Sequence, residues 1–191
     1  MEFSDESTFY QMRNVHKLVR RPVGERFNPK FTVKTVKHPP SVMVWGCFDG
    51  KKGRGRLEFL KKGETMNSVR YQATLEEKLL PIFEARGMKW FLQDGAPCHA
   101  SKSTREFLER NRVPVLPWPG NSPDLNPIEN LWEVMKVKVA EKLPTSLQDL
   151  KDKICEVWAL ETSRKACERL ARSMPARIEA VLANGGWPSK Y

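Results

Sequence analysis

The sequence predicts an α/β fold: a mixed sheet of about five strands flanked by helices, with further helices toward the C-terminus. Three observations predict it. β-Rich stretches dominate the first 60 residues, helical and strand patterns then alternate as far as Trp118, and beyond Asn126 the apolar residues recur at helical spacing. No obvious linker divides the 191 residues, so residues 1–191 read as one domain.

The elements follow in order. "EFSDESTF" begins as a short strand ending at Asp5. "SVMVWGCF", residues 41–48, is a β-rich run bounded by Pro40 and Gly50, too apolar for a surface strand. "RLEFL", residues 56–60, alternates and closes a hairpin through the Gly/Lys turn. From Asn67 to about Ala85, Val69, Ala73, Leu75, Leu79, Leu80 and Phe83 approximate helical spacing, with Pro81 placed to kink or divide the helix. "KWFLQD", residues 89–94, is a buried strand ending in a carboxylate, and "GAPCHAS" after it is a loop. Ser101 caps a helix through Arg110, and "VPVLPWP" is a strand stopped by Pro117 and Pro119. A helix launched from "SPDLNPIENLW" reaches about Lys142. Ser146 caps another, and a last helical region breaks near Pro175 and ends at Gly185 and Gly186. Trp45, Trp90 and Trp118 read as core residues. There is no internal repeat.

The charge is one-sided: 33 Lys+Arg against 23 Asp+Glu give +10 at neutral pH. A polyanionic partner, most simply nucleic acid, would explain that, as would a merely soluble basic protein. The distribution favours the partner. Arg13, Lys17, Arg20, Arg21, Arg26, Lys30, Lys34 and Lys37 meet only Glu25 between Arg13 and His38, and prolines and a glycine mark the stretch as loop. Lys51, Lys52, Arg54, Arg56, Lys61 and Lys62 follow against Glu58. Cys47, Cys98, Cys155 and Cys167 form no C-x-x-C pair, and no apolar leader opens the chain. A reducing compartment is favoured over a disulfide framework or structural zinc. No apolar run approaches the ~20 residues of a membrane span.

Three carboxylates stand out. Asp94 closes a buried strand, where open α/β sheets place ligands, although Asp94-Gly95 is also a turn dipeptide. Asp5 ends the first strand beside Glu6, where Ser4 and Ser7 could simply make it a turn. Glu129 occupies the third helical position if Asn126 is the N-cap and Pro127 follows it, and Asn-x-x-Glu is also a capping-box pattern. Taken together, the three could meet at one edge of a sheet. Clustered carboxylates repel unless cations separate them, and oxygen ligands suit Mg²⁺ or Mn²⁺. Two such ions roughly 3.5–4 Å apart serve phosphoryl transfer. A glutamate serving such a site faces the two aspartates; one serving the cap folds back to the Asn126 N–H.

The blocks "FSDESTF", "HPPSVMVWGCF", "FLQDGAPCHAS", "WPGNSPDLNPIENLW" and "SMPARIEAVLANGGWPSKY" resemble the catalytic domain of Tc/mariner transposases, in the Sleeping-Beauty-like branch. They keep the family's order and span nearly the whole chain. The 34 residues between Asp94 and Glu129 match the family's spacing, and Asp5 falls at its first aspartate. The resemblance implies an RNase-H-like fold with Asp5 and Asp94 on neighbouring strands and Glu129 on the following helix. It implies catalysis and metal binding by these three, with a two-ion Mg²⁺ or Mn²⁺ site and no small-molecule cofactor. It also implies cutting at transposon ends, joining of the freed 3′-hydroxyl to TA target DNA, a homodimer or larger assembly on DNA, and a nuclear location without a membrane. His99 and Asn126 lie inside the matched blocks and either line the site or stabilise its loops.

Two departures accompany the resemblance. The family's N-terminal helix-turn-helix region is absent from this sequence, with only Met1 to Ser4 before Asp5, so the first strand is expected to be cut short. Gly95 stands where many relatives carry asparagine. The competing expectations are a non-catalytic DNA- or protein-binding module derived from a transposase, and a host nuclease of the same fold acting on RNA.

Overall fold

The computed structural model describes residues 1–11, 20–32, 39–120, 122–189 and 191. Its centre is a four-stranded mixed sheet: β1 (Glu2–Tyr10), β2 (Ser41–Asp49), β3 (Gly53–Phe59) and β4 (Phe91–Leu92), in the order β3-β2-β1-β4. β1 pairs antiparallel with β2 along its whole length, from Glu2 opposite Asp49 to Tyr10 opposite Ser41, and parallel with β4 through Glu2 and Phe3. Asp5 was expected at a strand end, yet it is the fourth of nine residues in β1. Ser4, Asp5, Glu6 and Ser7 look like turn formers locally. Pairing with β2 holds them extended, while Phe3 and Phe9 supply the apolar anchors.

The fifth strand is reduced to one bridge, between Phe91 and Val115. The Phe91 N–H donates to the Pro114 carbonyl at 2.9 Å and the Leu116 N–H donates to the Phe91 carbonyl at 2.8 Å. Pro114, Pro117 and Pro119 have no N–H to extend that ladder.

Helices cover both faces. On one side lie α1 (Ser68–Thr74), a π turn (Leu75–Leu79) and α2 (Leu80–Ala85) in continuous succession, with α4 (Lys102–Arg110) beside them. Pro81 divides this helix as anticipated, but the change falls one turn early: the Leu80 N–H reaches back to the Leu75 carbonyl, a five-residue step. "GAPCHAS" has a loop's composition, yet Pro97–Ala100 forms a single helical turn, α3, with the Ala96 carbonyl accepting from His99 and Ala100 at 2.9 Å. The other face carries α5 (Pro127–Glu141), α6 (Leu147–Glu161) and α7 (Arg164–Arg172), followed by α8 (Met174–Ala183). Ser101 and Ser146 cap their helices as expected, and Asn67 caps α1, each side chain accepting from the residue three further on.

Alternation along β2 sends Val42, Val44 and Phe48 to the α5 side, where they meet Ile128, Trp132, Met135, Ile154 and Trp158. Trp45 and Cys47 go to the opposite side, against Tyr71, Leu75, Leu79, Phe83 and Leu108. Gly46 faces α5 with no room for a side chain, since a Cβ there would lie 2.7 Å from the Trp132 ring. That contact seats α5 directly over the sheet. Trp132 also stacks on Trp158 at 5.3 Å and meets Phe9 edge-on at 5.9 Å. Trp45 is buried and Trp118 half-buried against the α5-side core, but Trp90 is 43% exposed and is not a core residue. All four cysteines are free thiols. No helix among the described residues is long and apolar enough to cross a membrane.

Candidate active site

The parity of β1 decides where its acids point. Phe3, Asp5 and Phe9 share the face that packs on α5, while Glu6 lies on the opposite face. Asp5 sits opposite Gly46, the residue under Trp132. Trp132 follows Glu129 by three positions on α5, so the packing that seats the ring also brings the first turn of α5 over Asp5.

That first turn is built by the proline-rich approach. A 3₁₀ turn at Pro123–Leu125 leads into Asn126, whose side chain accepts from the Ile128 N–H at 3.4 Å. The Asn126 N–H is already donated to the Pro123 carbonyl at 2.9 Å, so the glutamate half of a capping box is not formed. The Asn126 amide instead donates across to the Ser4 carbonyl at 3.2 Å, tying the start of α5 to β1 next to Asp5. Glu129 turns toward the sheet, and its carboxyl shares a hydrogen bond with that of Asp5.

Asp94 lies two residues beyond β4 and is about half exposed. Its Oδ1 accepts from the Ala96 N–H at 3.0 Å and meets His99 Nδ1 at 2.5 Å. His99 is buried, its ring 4.0 Å from that of Tyr71, and its Nε2 lies 3.2 Å from Glu6 Oε1. The α3 turn therefore exists to present His99 to Asp94 on one nitrogen and to Glu6 on the other.

Asp5, Asp94 and Glu129 come from three separate elements and line one cavity of about 350 Å³, together with Asn126 and Trp118. They do not form a finished cage. Among the described residues, no three His, Cys, Asp or Glu side chains are gathered closely enough to hold a metal as they stand. Asp5 and Glu129 touch, and Asp94 stands across the cavity in the grip of His99.

The electrostatics divide the same way. Burial, and then the charge of Glu129, push the Asp5 carboxyl up to about 8. Burial raises Glu129 as well, against the lowering effect of its bond to Asp5. Two acids in that position hold a proton between them near neutral pH. Asp94 moves down, chiefly through the His99 hydrogen bond. Burial works against a charged His99, but its bonds to Asp94 and Glu6 outweigh burial and lift it to about 10. A hard divalent cation suits this oxygen donor set, because it would replace the proton between Asp5 and Glu129.

Comparison with known proteins places the chain. The family model described as DDE superfamily endonuclease matches residues 1–151. This chain belongs to that family, as a transposase catalytic domain of the Tc1/mariner type. It is 37% identical over 195 residues to the transposable element Tcb2 transposase of Caenorhabditis briggsae, covering 99% of this chain and 69% of that one. It is 36% identical, with the same coverage of both, to the Tc1 transposase of Caenorhabditis elegans. In three dimensions it superposes with a TM-score of 0.85 on the mariner Mos1 paired end complex with Mg, at 26% identity over 99% of this chain and 56% of that one. The chain thus spans about two thirds of those nematode transposases and just over half of the Mos1 chain.

The basic residues of this DDE domain are only partly described. Arg20, Arg21 and Arg26 are exposed in irregular structure after β1, with Arg26 over the Phe27 ring at 5.6 Å, and Lys30 is exposed in a 3₁₀ turn (Pro29–Phe31). Arg13, Lys17, Lys34 and Lys37 lie outside the described residues. Glu6 is the site residue that sequence reasoning passed over, as a mere neighbour of Asp5. The signal was available in strand alternation: if Asp5 faces α5, Glu6 must face the helices on the other side.

Proposed function

We propose that this DDE domain cleaves DNA strands at transposon ends and joins the freed 3′-hydroxyl to target DNA at TA dinucleotides, with Asp5, Asp94 and Glu129 holding two divalent ions. One observation carries the reading: three carboxylates from β1, the β4 exit and the start of α5 line a single cavity. The metal is Mg²⁺ or Mn²⁺, in keeping with the oxygen donors and with Mos1 structures described as paired end complexes with Mg and with Mn. The Mos1 strand transfer complex supports the joining step.

The residues divide the work. When bound, divalent ions activate the attacking oxygen and stabilise the leaving oxygen of the phosphodiester. Asp94 arrives ionised because His99 neutralises and orients it. Asp5 and Glu129 release the proton they share and become paired anionic ligands. Asn126 holds the α5 start against β1, and Gly46 admits Trp132 so that Glu129 keeps its height above the sheet. Arg20, Arg21, Arg26 and Lys30, with Arg13, Lys17, Lys34 and Lys37, contact the DNA backbone. The unit works as one domain, in a homodimer or larger assembly on DNA, in the nucleus.

The test uses pre-nicked transposon-end DNA with Mn²⁺. Cleavage or joining well above that of Asp94→Asn supports the proposal, and equal yields refute it. The bond that engages Asp94 with His99, away from Asp5 and Glu129, favours a second reading, a DNA-binding module without catalysis. DNA binding with no Mn²⁺-dependent product in that experiment is its signature.

A further inference from the structure

The family model ends at residue 151, yet the structure links the far C-terminus to the catalytic glutamate. α8 is an unusual helix for a surface element. Its one buried side chain is Arg177, 2% exposed, while Ile178 and Leu182 are 45% and 72% exposed. Apolar burial alone does not explain why α8 docks where it does.

Arg177 spends its guanidinium on the segment that carries Glu129. Nη1 donates to the Asp124 carbonyl at 2.7 Å, inside the 3₁₀ turn that launches α5. Nη2 donates to Oδ1 of Asn130, the residue after Glu129, and Nε donates to Ser173 Oγ at 2.8 Å. Glu129 is therefore bracketed by two points held from one planar, rigid fork. The chain end reinforces the grip: the Ser189 N–H donates to Asp124 Oδ2 at 2.8 Å, and the Tyr191 ring lies 4.8 Å from the guanidinium. The three side-chain and backbone oxygens that accept from Arg177 are neutral, and the charges of Asp124 and Tyr191 act on it as well. Burying a guanidinium costs desolvation, and its retention on this segment asks for a role.

We infer that Arg177 is a positioning residue for Glu129, and that α8 and the C-terminal tail form a clamp setting the geometry of the metal-binding pocket from outside the family-model region. The inference rests on the metal-site reading of Glu129, and the experiment separates the two.

Mn²⁺ binding is measured by titration calorimetry on the full chain, for wild type, Arg177→Ala, Glu129→Gln and the double variant. Arg177→Ala is expected to weaken binding about tenfold in the wild-type background and less than about twofold when Glu129 is already replaced. Equal losses in both backgrounds would mean that Arg177 only staples the fold, and would overturn the inference. A metal-free readout runs beside it. Amide exchange at Leu125, Asn126, Glu129 and Asn130 should accelerate at least about tenfold in Arg177→Ala while α6 stays unchanged. Unchanged exchange there overturns the clamp. If Glu129→Gln alone leaves Mn²⁺ affinity intact, the metal-site reading fails, and amide exchange still decides for or against Arg177. Should Arg177→Ala not fold, Arg177→Lys keeps the charge and loses the fork. It is then expected to show the same pattern at smaller amplitude, and wild-type behaviour from it counts against the clamp.

Discussion

The two sides of the cavity solve the same problem in opposite ways. Asp5 and Glu129 press two carboxyls together in a half-dry setting, with their affinity for protons raised. Asp94, half exposed, is paired with a buried imidazole and its proton affinity is lowered. One side stores an unresolved repulsion that a cation would relieve; the other is already neutralised and aimed. A site that must accept cations and release product gains from that split. Three bare carboxylates would resist folding, and three neutralised ones would bind no metal.

The contrast can be broken from either side. The largest effect is expected from Asp5→Asn, which removes a ligand from the repelling pair. Strand cleavage should fall on the order of 10³-fold or more, measured as single-turnover product with Mn²⁺. Combining it with Asp94→Asn should add little, since ligands of one site act as a unit. His99→Ala should come next. It frees Asp94 without removing it, so a loss of about 10–100-fold in metal affinity or rate is expected, read by calorimetry and cleavage yield. An unchanged rate in His99→Ala would erase the distinction between the two sides.

The smallest effect is the most diagnostic. In metal-free protein Asp5 binds its proton more tightly folded than unfolded, its value moving from an ordinary ~4 to about 8. A raised acid means the native state holds the extra proton between those values, so stability falls as pH rises from about 4 to about 8. His99, raised from about 6.5 to about 10, adds a loss in the same direction over that higher window. Thermal melts of wild type should therefore decline across pH 5–8. Asp5→Asn should flatten the decline and melt higher than wild type at pH 8, even while activity is lost. A wild-type melting temperature that rises over that range would contradict the proposed charge state of the pair.

Much of this was legible in the chain. The caps at Asn67, Ser101, Asn126 and Ser146 act through neighbours two or three residues away, and local sequence carries that information. The same is true of Pro81 dividing its helix and of the buried strand just ahead of Asp94. The readings that failed depended on distant partners. Asp5 looked like a strand end because its neighbours are polar, and only the β2 ladder holds them extended. Trp90 looked apolar enough for the core but falls just outside β4. The segment at Val115 is a different case, since its own three prolines limit the strand to one bridge. His99 was visible as a member of a matched block, but its two bonds, to Asp94 past β4 and to Glu6 on β1, were not. Arg177 could not be found by any local rule, since its partners are Asp124 and Asn130, about fifty residues earlier.

The sequence by itself determined which residues could do the chemistry: two aspartates and a glutamate, with a proline-led helix start that leaves the glutamate free to leave its cap. Tertiary structure decided the state each of them is in. Burial and approach distance set proton affinity, and neither is encoded in any one segment. Asp5 is pushed up because α5 lands on it, Asp94 is pulled down because α3 turns His99 back onto it, and Glu129 is held in place from α8, the last helix of the chain.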